Sequence, residues 1–323
     1  MDISAQTPVN YPLKSTHSLM EKRPVQNSSP AMGEALVLDP SLDDYQQADQ
    51  AFQQLGYDVA VSPFRENAIS GDIDKVNAQV RAMMMASKQS ADFYNRITGM
   101  VEDGRSHIEG LHTLIGKIHS GYQKQYAEVV KAATTYMQDV NTALGTMSQH
   151  MKAGDNGKIK FYPEDFAASV DEVMSKYTNQ KYSGSNPSSY FGNWDPPLSG
   201  TPLIKIPLSE GAYKFWKKKL DGQGFVVNTT ASEIVIYPDF KPIKEVYSSI
   251  ANSSAKWGGS DISAQEFQSM QTAIDAQKNT MNSSVSRLLE TFRQDNSHFE
   301  TLVQLLIQLL KDLYQNSMSL INI

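Results

Sequence analysis

A regular apolar repeat occupies the C-terminal part of the chain. Between residues 267 and 313, an apolar side chain recurs at alternating steps of three and four. This spacing lines the apolar residues along one side of a helix, and such a stripe can be buried only against another long helix. We therefore predict that residues 263–323 form one helix of a coiled coil, with a seam that contains Val285, Leu288, Phe292, Leu302, Leu306 and Leu309.

A second apolar stripe, between residues 108 and 151, supplies the expected partner helix within the same chain. Its predicted seam residues are Ile115, Tyr122, Val129, Tyr136 and Val140. Most steps are three or four residues, but consecutive steps of four occur near Tyr122 and Leu144. Because an extra step of four locally unwinds a seven-residue repeat, we expect this helix to be the less regular one. The two stripes predict an intramolecular antiparallel coiled coil whose first helix spans residues 105–152.

The segment before the coil contains two parts that differ in composition and in apolar spacing. Residues 1–40 are rich in Ser, Thr, Pro, Asn and Gln with almost no apolar clustering, which is typical of a disordered segment. Residues 41–101 instead have helical apolar spacing. Ser41 is a candidate N-cap for a first helix and Asp72 for a second one, and together they predict an antiparallel helical hairpin. Residues 102–106 are predicted to break the chain before the long helix.

Residues 153–262 lie between the two predicted coil helices and mix strand and helix patterns. KIKFY, PLIKIPL, GFVVNTT and EIVIYP are short β-rich runs, and the last two are expected to form an antiparallel hairpin. Helices are predicted from Pro163 and over residues 209–220. In the loop at residues 183–202, we expect Tyr190, Phe191 and Trp194 to pin the loop to the core. The predicted fold class is mainly α, with a small mixed α/β domain inserted between the helices of the coil.

The composition argues against several classes of function. The formal charge is -6 and the isoelectric point is near 5.6, whereas a nucleic-acid-binding protein needs a basic stripe. The chain has no cysteine, so it has no disulfide and no thiolate that could bind a metal or attack a substrate. Its longest apolar run is far shorter than the roughly eighteen residues that cross a bilayer. We expect neither nucleic acid binding nor a membrane-spanning segment.

A search for catalytic and metal-binding motifs predicts no enzyme. The P-loop, the glycine-rich dinucleotide turn, HExxH and GxSxG are all missing from the sequence. His112 and His119 are seven residues apart, and we interpret them as part of a solvated helix face. Asp295, Ser297 and His298 have the residue types of a hydrolase triad, but neighbouring helical positions point in different directions. We therefore predict no catalytic, cofactor-binding or metal-binding residue.

Met83, Met84 and Met85 form a methionine cluster on the second helix of the predicted hairpin. Methionine side chains are adaptable and can line a groove for an apolar ligand. At consecutive helical positions, only one or two of the three can face the seam, so core packing is the main expectation. A partly exposed methionine beside the seam leaves a candidate groove for a small amphipathic ligand.

The run QDNSHFETLVQLL, at residues 294–306, resembles the C-terminal signature of the type III secretion needle-tip proteins of the IpaD, SipD and BipD kind. In that family an Asn-Ser pair precedes a Phe and a set of aliphatic residues. The matching positions here are Asn296, Ser297, Phe299, Leu302, Val303, Leu305 and Leu306. The runs FWKKKLDGQG, GFVVNTT and EIVIYPDFKPIKEVYSSI are similar too, and the order of these motifs is more specific than any one of them.

The resemblance implies a function at the tip of a secretion needle. In the family, a disordered start bears an uncleaved secretion signal, here residues 1–40, and a hairpin shields the coil as a self-chaperone, here residues 41–101. Several copies cap the needle at the bacterial surface after secretion through the type III apparatus. There they control secretion and recruit hydrophobic translocator proteins that deliver effectors into host cells. The implied partners are the needle subunit, other copies of the chain and the translocators.

The resemblance also implies candidate contact residues. Needle attachment in the family uses the coil and the C-terminal end, which map onto this chain as Asn296, Phe299, Ile321 and Ile323. Some members respond to bile salts between hairpin and coil, so Met83, Met84 and Met85 are the candidate groove for such a ligand. The aromatic loop at residues 183–202 has no counterpart in the family pattern, and Met270 stands where a Trp is expected.

Two alternatives stay open at this point. A tip protein of the V-antigen class shares the dumbbell plan but normally lacks the N-terminal hairpin, so an ordered hairpin before residue 100 distinguishes the two classes. The other alternative is an unrelated coiled-coil adaptor, or an enzyme with its active site in the α/β insertion. An enzyme would need convergent polar groups with perturbed acidity in a pocket.

Overall fold

The structure is a computed structural model that describes residues 36–98 and 106–321. Its longest element is the C-terminal helix α9 (Ala264–Ile321), which contains 58 residues. At 1.5 Å per residue, this helix is roughly 85 Å long. Its apolar stripe packs partly on the insertion and partly on the helices that precede it, so the predicted long C-terminal helix is confirmed.

The partner of α9 in the coil is built from three consecutive helical segments. They are α3 (Ser106–Lys117), a π-helical turn (Ile118–Gln123) and α4 (Lys124–Gly145). The direction is antiparallel to α9, because Tyr126 stacks on Phe292 whereas Asn141, further along α4, bonds to Asn282. The π-helical turn contains Tyr122, one of the two places where the sequence has consecutive steps of four. A π-helical turn contains more residues than an α-helical turn, so it accommodates the extra residue that interrupts the seven-residue repeat there.

The first coil helix is shorter than predicted. After Gly145, the chain tightens into a 3-10 turn (Thr146–His150) and then forms strand β1 (Met151–Ala153). The prediction that this helix extends to residue 152 is therefore wrong. Met151 keeps the apolar spacing of the helix, but its backbone is used in a sheet, where it pairs with Phe161.

The first described helix, α1 (Asp44–Gln54), begins with a capping box. The Asp43 carboxylate accepts a hydrogen bond from the Gln46 N–H at 3.0 Å, and the Gln46 side chain accepts one from the Asp43 N–H at 3.3 Å. The predicted N-cap Ser41 is therefore wrong by two residues. Ser41 instead donates its N–H to the Asp39 side chain at 2.9 Å, in the turn that precedes the helix.

The second N-terminal helix, α2 (Ile73–Thr98), is capped by Asp72 as predicted. The Asp72 Oδ1 accepts hydrogen bonds from the N–H groups of Asp74 and Lys75, at 2.9 and 3.3 Å. The predicted break at residues 102–106 falls almost entirely outside the described residues, and α3 is described from Ser106 onward.

The two N-terminal helices are docked on different parts of the coil. α1 makes its main contacts with α3 and α9, whereas α2 lies along α9 and also contacts α4. The segment between them, residues 55–72, is called the linker below; it contains a short 3-10 turn (Glu66–Ala68). The helices of the predicted hairpin are thus both present, and each is held mainly by the coil.

The insertion contains two small antiparallel sheets. In the first, β2 (Ile159–Phe161) lies between β1 and β6 (Ser260–Ile262). In the second, β5 (Glu233–Pro238) lies between β3 (Ile204–Pro207) and β4 (Phe225–Thr229). The predicted hairpin of the last two β-rich runs is confirmed, with Val227 opposite Ile236. β1 and β6 were not expected, because a strand of three residues is too short to show an alternating pattern.

Four helices complete the insertion. They are α5 (Pro163–Thr178), α6 (Pro187–Gly192), α7 (Glu210–Leu220) and α8 (Lys241–Ala251). α5 has proline at its first position, and α7 is capped by Ser209, whose side chain accepts a hydrogen bond from the Ala212 N–H. Phe191 and Trp194 are buried, so the prediction that the aromatic loop is pinned to the core is confirmed.

The buried residues form two clusters, and each one combines parts of the coil with parts of the insertion. The first contains α1, the buried residues of α2, α7, the β3-β5-β4 sheet and the later part of α9. The second contains the end of α4, α5, α6, α8 and the first part of α9. Because both clusters need α9, the insertion and the coil share their cores.

Candidate functional site

All of the residues predicted for the seam are buried. Across it, the rings of Tyr126 and Phe292 are nearly parallel, at 4°, with centroids 4.8 Å apart. Trp216 of α7 packs on the same tyrosine, again with a centroid distance of 4.8 Å. These aromatic contacts bury large apolar surfaces in a defined geometry, and they hold α7 of the insertion against the coil.

The QDNSHFE run at residues 294–300 lies at the centre of a buried polar network. Five side chains of this run, which we call the polar hub, face four different elements: Asp295, Asn296, Ser297, His298 and Glu300. Burial of a polar or charged side chain costs free energy, so each of these side chains needs a hydrogen-bond or ion-pair partner.

Asp295 connects the hub to the insertion and to α1. Its Oδ1 accepts from the Lys219 ammonium of α7 at 2.7 Å, and both side chains are largely buried. Tyr45 of α1 donates its hydroxyl to the Asp295 backbone oxygen at 3.2 Å and accepts from the Gln123 amide at 2.5 Å. Burial, together with the charge of Asp295, holds the pKa of Tyr45 and of Tyr126 well above the usual value, so both remain neutral phenols.

Asn296 and Glu300 connect the hub to α2. The Asn296 amide donates to Ser90 Oγ at 3.0 Å and to Glu300 Oε1 at 2.9 Å. The single proton of the Ser90 hydroxyl can be donated either to Glu300 or to the Ala86 backbone oxygen. The three side chains form a closed triangle between α2 and α9, in which a polar contact replaces an apolar one in the middle of the helix pair.

His298 and Ser297 complete the hub. The His298 Nε2 lies 2.7 Å from Asp49 Oδ1 of α1, and its ring packs against Tyr45 with centroids 5.0 Å apart. Ser297 Oγ lies 3.2 Å from Ser62 Oγ of the linker. The residues that have the types of a hydrolase triad therefore each bind a different partner, as their helical spacing indicated.

A second set of polar side chains extends along α9 from the hub. Asn282, Ser286, Glu290 and Gln294 recur every four residues, and we call them the polar ladder. They bond to Gly71 O at 2.8 Å, Ser70 N at 2.9 Å, Arg65 N at 3.1 Å and Ser62 O at 2.8 Å, respectively. These residues were not predicted from the sequence, although a polar residue at every fourth position beside the apolar seam indicates a polar docking face.

Phe299, a candidate needle contact, lies in the core between three helices. Its ring is 5.7 Å from Tyr94 of α2 and 5.8 Å from His119. The interpretation of His112 and His119 as a solvated face is wrong, because both rings pack on Tyr94, at 6.2 and 4.8 Å. Burial lowers the pKa of His119, which favours the neutral imidazole. Asn296 and Phe299 are covered by α2 in this conformation.

The other candidate contacts lie at the end of α9. Ile321 is the last described residue of the helix, and Ile323 lies outside the described residues. One turn or two before them, Tyr314 and Met318 are exposed, at 68% and 43%, with the i, i+4 spacing of one helix face. These two residues present apolar surface to solvent at the end of the coil.

The three methionines occupy different environments. Met83 is buried, Met84 is partly buried and Met85 is 66% exposed. Met84 lines a groove of about 480 Å³ between α2 and the coil, together with Lys88, His119, Lys124 and Phe299. The groove has an apolar floor and two lysines at its rim. The polarity of its lining is therefore suited to an amphipathic anion.

Two observations bear on other classes of function. Among residues 36–98 and 106–321, no group of three or more His, Asp or Glu side chains is placed to hold a metal ion. Within the same residues, no helix is both long and apolar enough to span a bilayer.

Comparisons with known proteins agree with this architecture. A sequence model of the type III secretion systems tip complex components matches residues 30–312. The translocator protein BipD of Burkholderia pseudomallei (strain K96243) is 23% identical over 199 residues, which are 62% of this chain and 53% of the relative. BipD of Burkholderia thailandensis is 24% identical over 182 residues, 56% of this chain and 47% of the relative. The matches thus span about half the length of these curated relatives.

Solved structures of BipD from Burkholderia pseudomallei share the fold. One has a TM-score of 0.55 at 17% identity and covers 86% of this chain and 95% of that chain. A second has the same TM-score at 18% identity with the same coverage. Because the family match extends over most of the sequence, the chain belongs to the family of type III secretion systems tip complex components.

Proposed function

We propose that this protein caps the needle of a type III secretion system, controls secretion there and recruits hydrophobic translocator proteins for delivery of effectors into host cells. The observation that carries the proposal is the family match over residues 30–312. The BipD-like fold supports it, because both helices of its long coil belong to one chain and the coil shares its buried core with the insertion. A long helical element of this kind is suited to assembly at the end of a filament, so the proposed role of this protein is structural rather than catalytic.

The partners follow from the same proposal. They are the needle subunit, other copies of this chain and the translocators, with residues 1–40 as the secretion signal and the bacterial surface as the destination. The exposed face of Tyr314 and Met318, continued by Ile321 and Ile323, is the candidate needle contact. Asn296 and Phe299 become available to a partner only when α2 leaves them.

A small amphipathic ligand is a further part of the proposal. The groove beside Met84 joins an apolar floor to Lys88 and Lys124, and a bile salt combines an apolar ring system with one anionic group. Binding there would contact α2 and the coil at the same time. The ligand would therefore favour the conformation in which α2 is docked.

The test of the tip role is immunogold electron microscopy of needles on intact cells, with a strain deleted for this chain as the control. Label confined to needle ends, and absent from the deletion strain, is the expected result. Tyr314→Ser combined with Met318→Ser should remove most of the label without changing secretion of the chain. The matched control is Gln304→Ala, an exposed position that lies ten residues before Tyr314 along the same helix, away from its end.

The same experiment separates the alternatives. Needles that are clear of label in the wild-type strain would contradict the proposal and favour a coiled-coil adaptor. A tip protein of the V-antigen class would also label needle ends, but the ordered helices α1 and α2 before residue 100 favour the IpaD, SipD and BipD class.

A further inference from the structure

A cleft of about 550 Å³ lies between the insertion and α9, and we call it the side cleft. Its walls come from α4, from the turn between α7 and β4, from the start of α8 and from residues 277–287 of α9. The turn comes closest to α9 at Gly224, where a Cβ would lie 2.2 Å from Ser284 Oγ, and this approach forms one border of the cleft. The volume is within the usual range of small-molecule sites.

The wall of the side cleft contains a buried hydroxyl without a partner. Tyr136 of α4 is 5% exposed, and its hydroxyl forms no hydrogen bond with any residue that the structure describes. Burial raises the pKa of Tyr136, and the nearby Tyr177 and Asp239 add to this effect, so the side chain is a neutral phenol. Because Asp239 also lines the cleft, its electrostatic effect places the hydroxyl on the cleft side of the ring.

Phenylalanine would serve the packing of this position at least as well. A buried hydroxyl without a partner is unfavourable, because it loses its hydrogen bonds to water and gains none in return. The ring of Tyr136 packs edge-on against Tyr177, with centroids 4.9 Å apart, and this contact does not need the hydroxyl of Tyr136. A tyrosine here is therefore explained by a hydrogen bond that forms when a molecule occupies the side cleft.

The other polar groups of the side cleft indicate the chemistry of that molecule. Its four charged residues are two of each sign, Asp239, Glu245, Lys241 and Arg287, so the cleft favours neither an anion nor a cation. The uncharged groups are amides and hydroxyls, which both donate and accept hydrogen bonds and thus suit a neutral ligand with several hydroxyls. They belong to Gln223, Gln277, Asn279, Thr280, Ser283 and Ser284.

The floor of the side cleft is apolar. It contains Met137, Phe225, Met281 and Val285, all of which are buried. A sugar ring carries C–H groups on its faces and hydroxyls around its edge. Its faces can therefore pack on the apolar floor while its hydroxyls reach the amides at the rim.

We propose that the side cleft is a binding site for a neutral saccharide, in which the Tyr136 hydroxyl forms a hydrogen bond with a hydroxyl of the sugar. The cleft contains neither Met84 nor the exposed end of α9, so this site is separate from both surfaces discussed above. A protein at the bacterial surface meets neutral saccharides of two sources, the glycans of animal cells and the polysaccharide of the bacterium itself. This biological role rests on the proposed function, whereas the binding does not.

The test of binding is saturation-transfer difference NMR of the full chain. The first probes are free glucose, galactose, mannose and N-acetylglucosamine, each at about 10 mM, because a site with few hydrogen bonds binds single sugars in the millimolar range. Two further arms use oligosaccharides released from animal-cell glycoproteins and polysaccharide released from the surface of the producing bacterium. We expect saturation transfer to at least one probe, and the stronger of the two arms identifies the source. No transfer to any probe would overturn the proposal.

Tyr136→Phe tests the role of the unpartnered hydroxyl. We expect this variant to raise the dissociation constant of the bound saccharide at least about fivefold, because one hydrogen bond to the ligand is lost. The matched control is Tyr247→Phe. Tyr247 of α8 is buried and its hydroxyl also has no partner among the described residues, but it does not line the side cleft. The control should keep the affinity of the wild type, and equal weakening in both variants would contradict the assignment.

Thermal unfolding without saccharide separates a binding role from a structural one. Tyr136→Phe should unfold at the temperature of the wild type or above it, because the variant removes a buried polar atom that has no partner. A clearly lower temperature would mean that the hydroxyl is bonded within the protein, which would count against the proposal. All of these measurements use the isolated chain, so their failure is distinct from absence of label on needles.

Discussion

At the scale of single residues, buried carboxylates decide how several irregular segments are held. Asp171 of α5 is completely buried and accepts from the Tyr182 N–H at 2.6 Å, the Tyr190 hydroxyl at 3.1 Å and the Trp194 indole at 3.3 Å. Burial raises its pKa, and the three donors oppose that effect. One side chain thus organises the aromatic loop that follows α5.

We expect Asp171→Ala to loosen this loop. Three donors would lose their acceptor at once, and the loss in free energy of unfolding should be about 3 kcal/mol. Urea unfolding gives that free energy, and the fluorescence of Trp194 should shift to the red in the folded variant. The control is Asp165→Ala on the exposed side of the same helix, which should change the stability by less than about 0.5 kcal/mol.

Glu290 shows the opposite behaviour. Its oxygens accept from Arg293 Nη2 at 2.6 Å, from Arg293 Nε at 2.8 Å and from the Arg65 N–H. These donors hold its pKa below the usual value. A carboxyl whose pKa is lowered by folding adds stability above its unfolded pKa, and this contribution is lost as the pH falls through the folded pKa.

The stability difference between wild type and Glu290→Gln should therefore depend on pH. It should be largest near neutral pH and shrink as the pH falls below the usual range of glutamate, because the protonated wild-type side chain resembles the amide. Unfolding by urea at several pH values measures this difference. A difference that stays constant down to acidic pH would contradict the role of the ionised carboxylate.

At the scale of elements, the turn between α7 and β4 touches the coil through a glycine. Gly224 has a φ of +96°, and a Cβ at this position would lie 2.2 Å from Ser284 Oγ of α9. Gly222, two residues earlier, has a φ of +73°, and a Cβ at that position would have no other atom within 4 Å. The close approach at Gly224 brings the β4–β5 hairpin against the middle of α9.

Replacement of these glycines by alanine should separate backbone strain from close packing. Gly222→Ala should cost about 1 kcal/mol through its positive φ alone, whereas Gly224→Ala should cost clearly more, because the turn must also move away from α9. Thermal or urea unfolding of the two variants provides the comparison. Equal losses would mean that the contact with Ser284 has no importance for stability.

Also at this scale, the two irregularities of the first coil helix show what a repeat can and cannot predict. Consecutive steps of four near Tyr122 and Leu144 correctly indicated where the helix departs from regular geometry. They did not indicate the kind of departure. At the first place the chain widens into a π-helical turn within the coil, and at the second it leaves the helix, because β2 offers a backbone partner to Met151.

At the scale of the whole molecule, the insertion has no core of its own. Its β3-β5-β4 sheet and α7 belong to the cluster that contains α1, whereas α5, α6 and α8 belong to the other. The ion pair of Lys219 with Asp295 adds a polar link between insertion and coil. The boundaries proposed for the α/β domain therefore mark a region of the chain rather than an independent folding unit.

We accordingly expect a fragment of residues 153–262 to lack cooperative unfolding. Trp216 packs on Tyr126 of α4, and residues of α4 and α9 belong to the cluster that contains Tyr247, so the isolated fragment would expose apolar surface. Circular dichroism with temperature provides the measurement. In the full chain, tryptophan fluorescence and helix content should be lost in the same transition. Separate transitions would show that the insertion is an independent domain.

The sequence by itself determined the elements that depend on periodicity and on caps. The three-and-four spacing predicted both coil helices and their buried residues, the pattern of alternation predicted the β4–β5 hairpin, and Asp72 marked the start of α2. The resemblance carried by residues 294–306 also led to the correct family. These features are local, because a helix or a hairpin places residues of nearby sequence on one face.

Only the tertiary structure decided what the polar residues of the motif do. In the sequence, Asp295 and His298 have the residue types of a hydrolase triad and Asn296 is a candidate needle contact. In the structure, each of the three meets a residue that is 76 or more positions away in the chain. The docking of α1 and α2 on different parts of the coil also depends on contacts between residues that are far apart in the chain. Hydrogen bonds across such distances have no period in the sequence, and their partners are determined only when the apolar seam has brought the helices together.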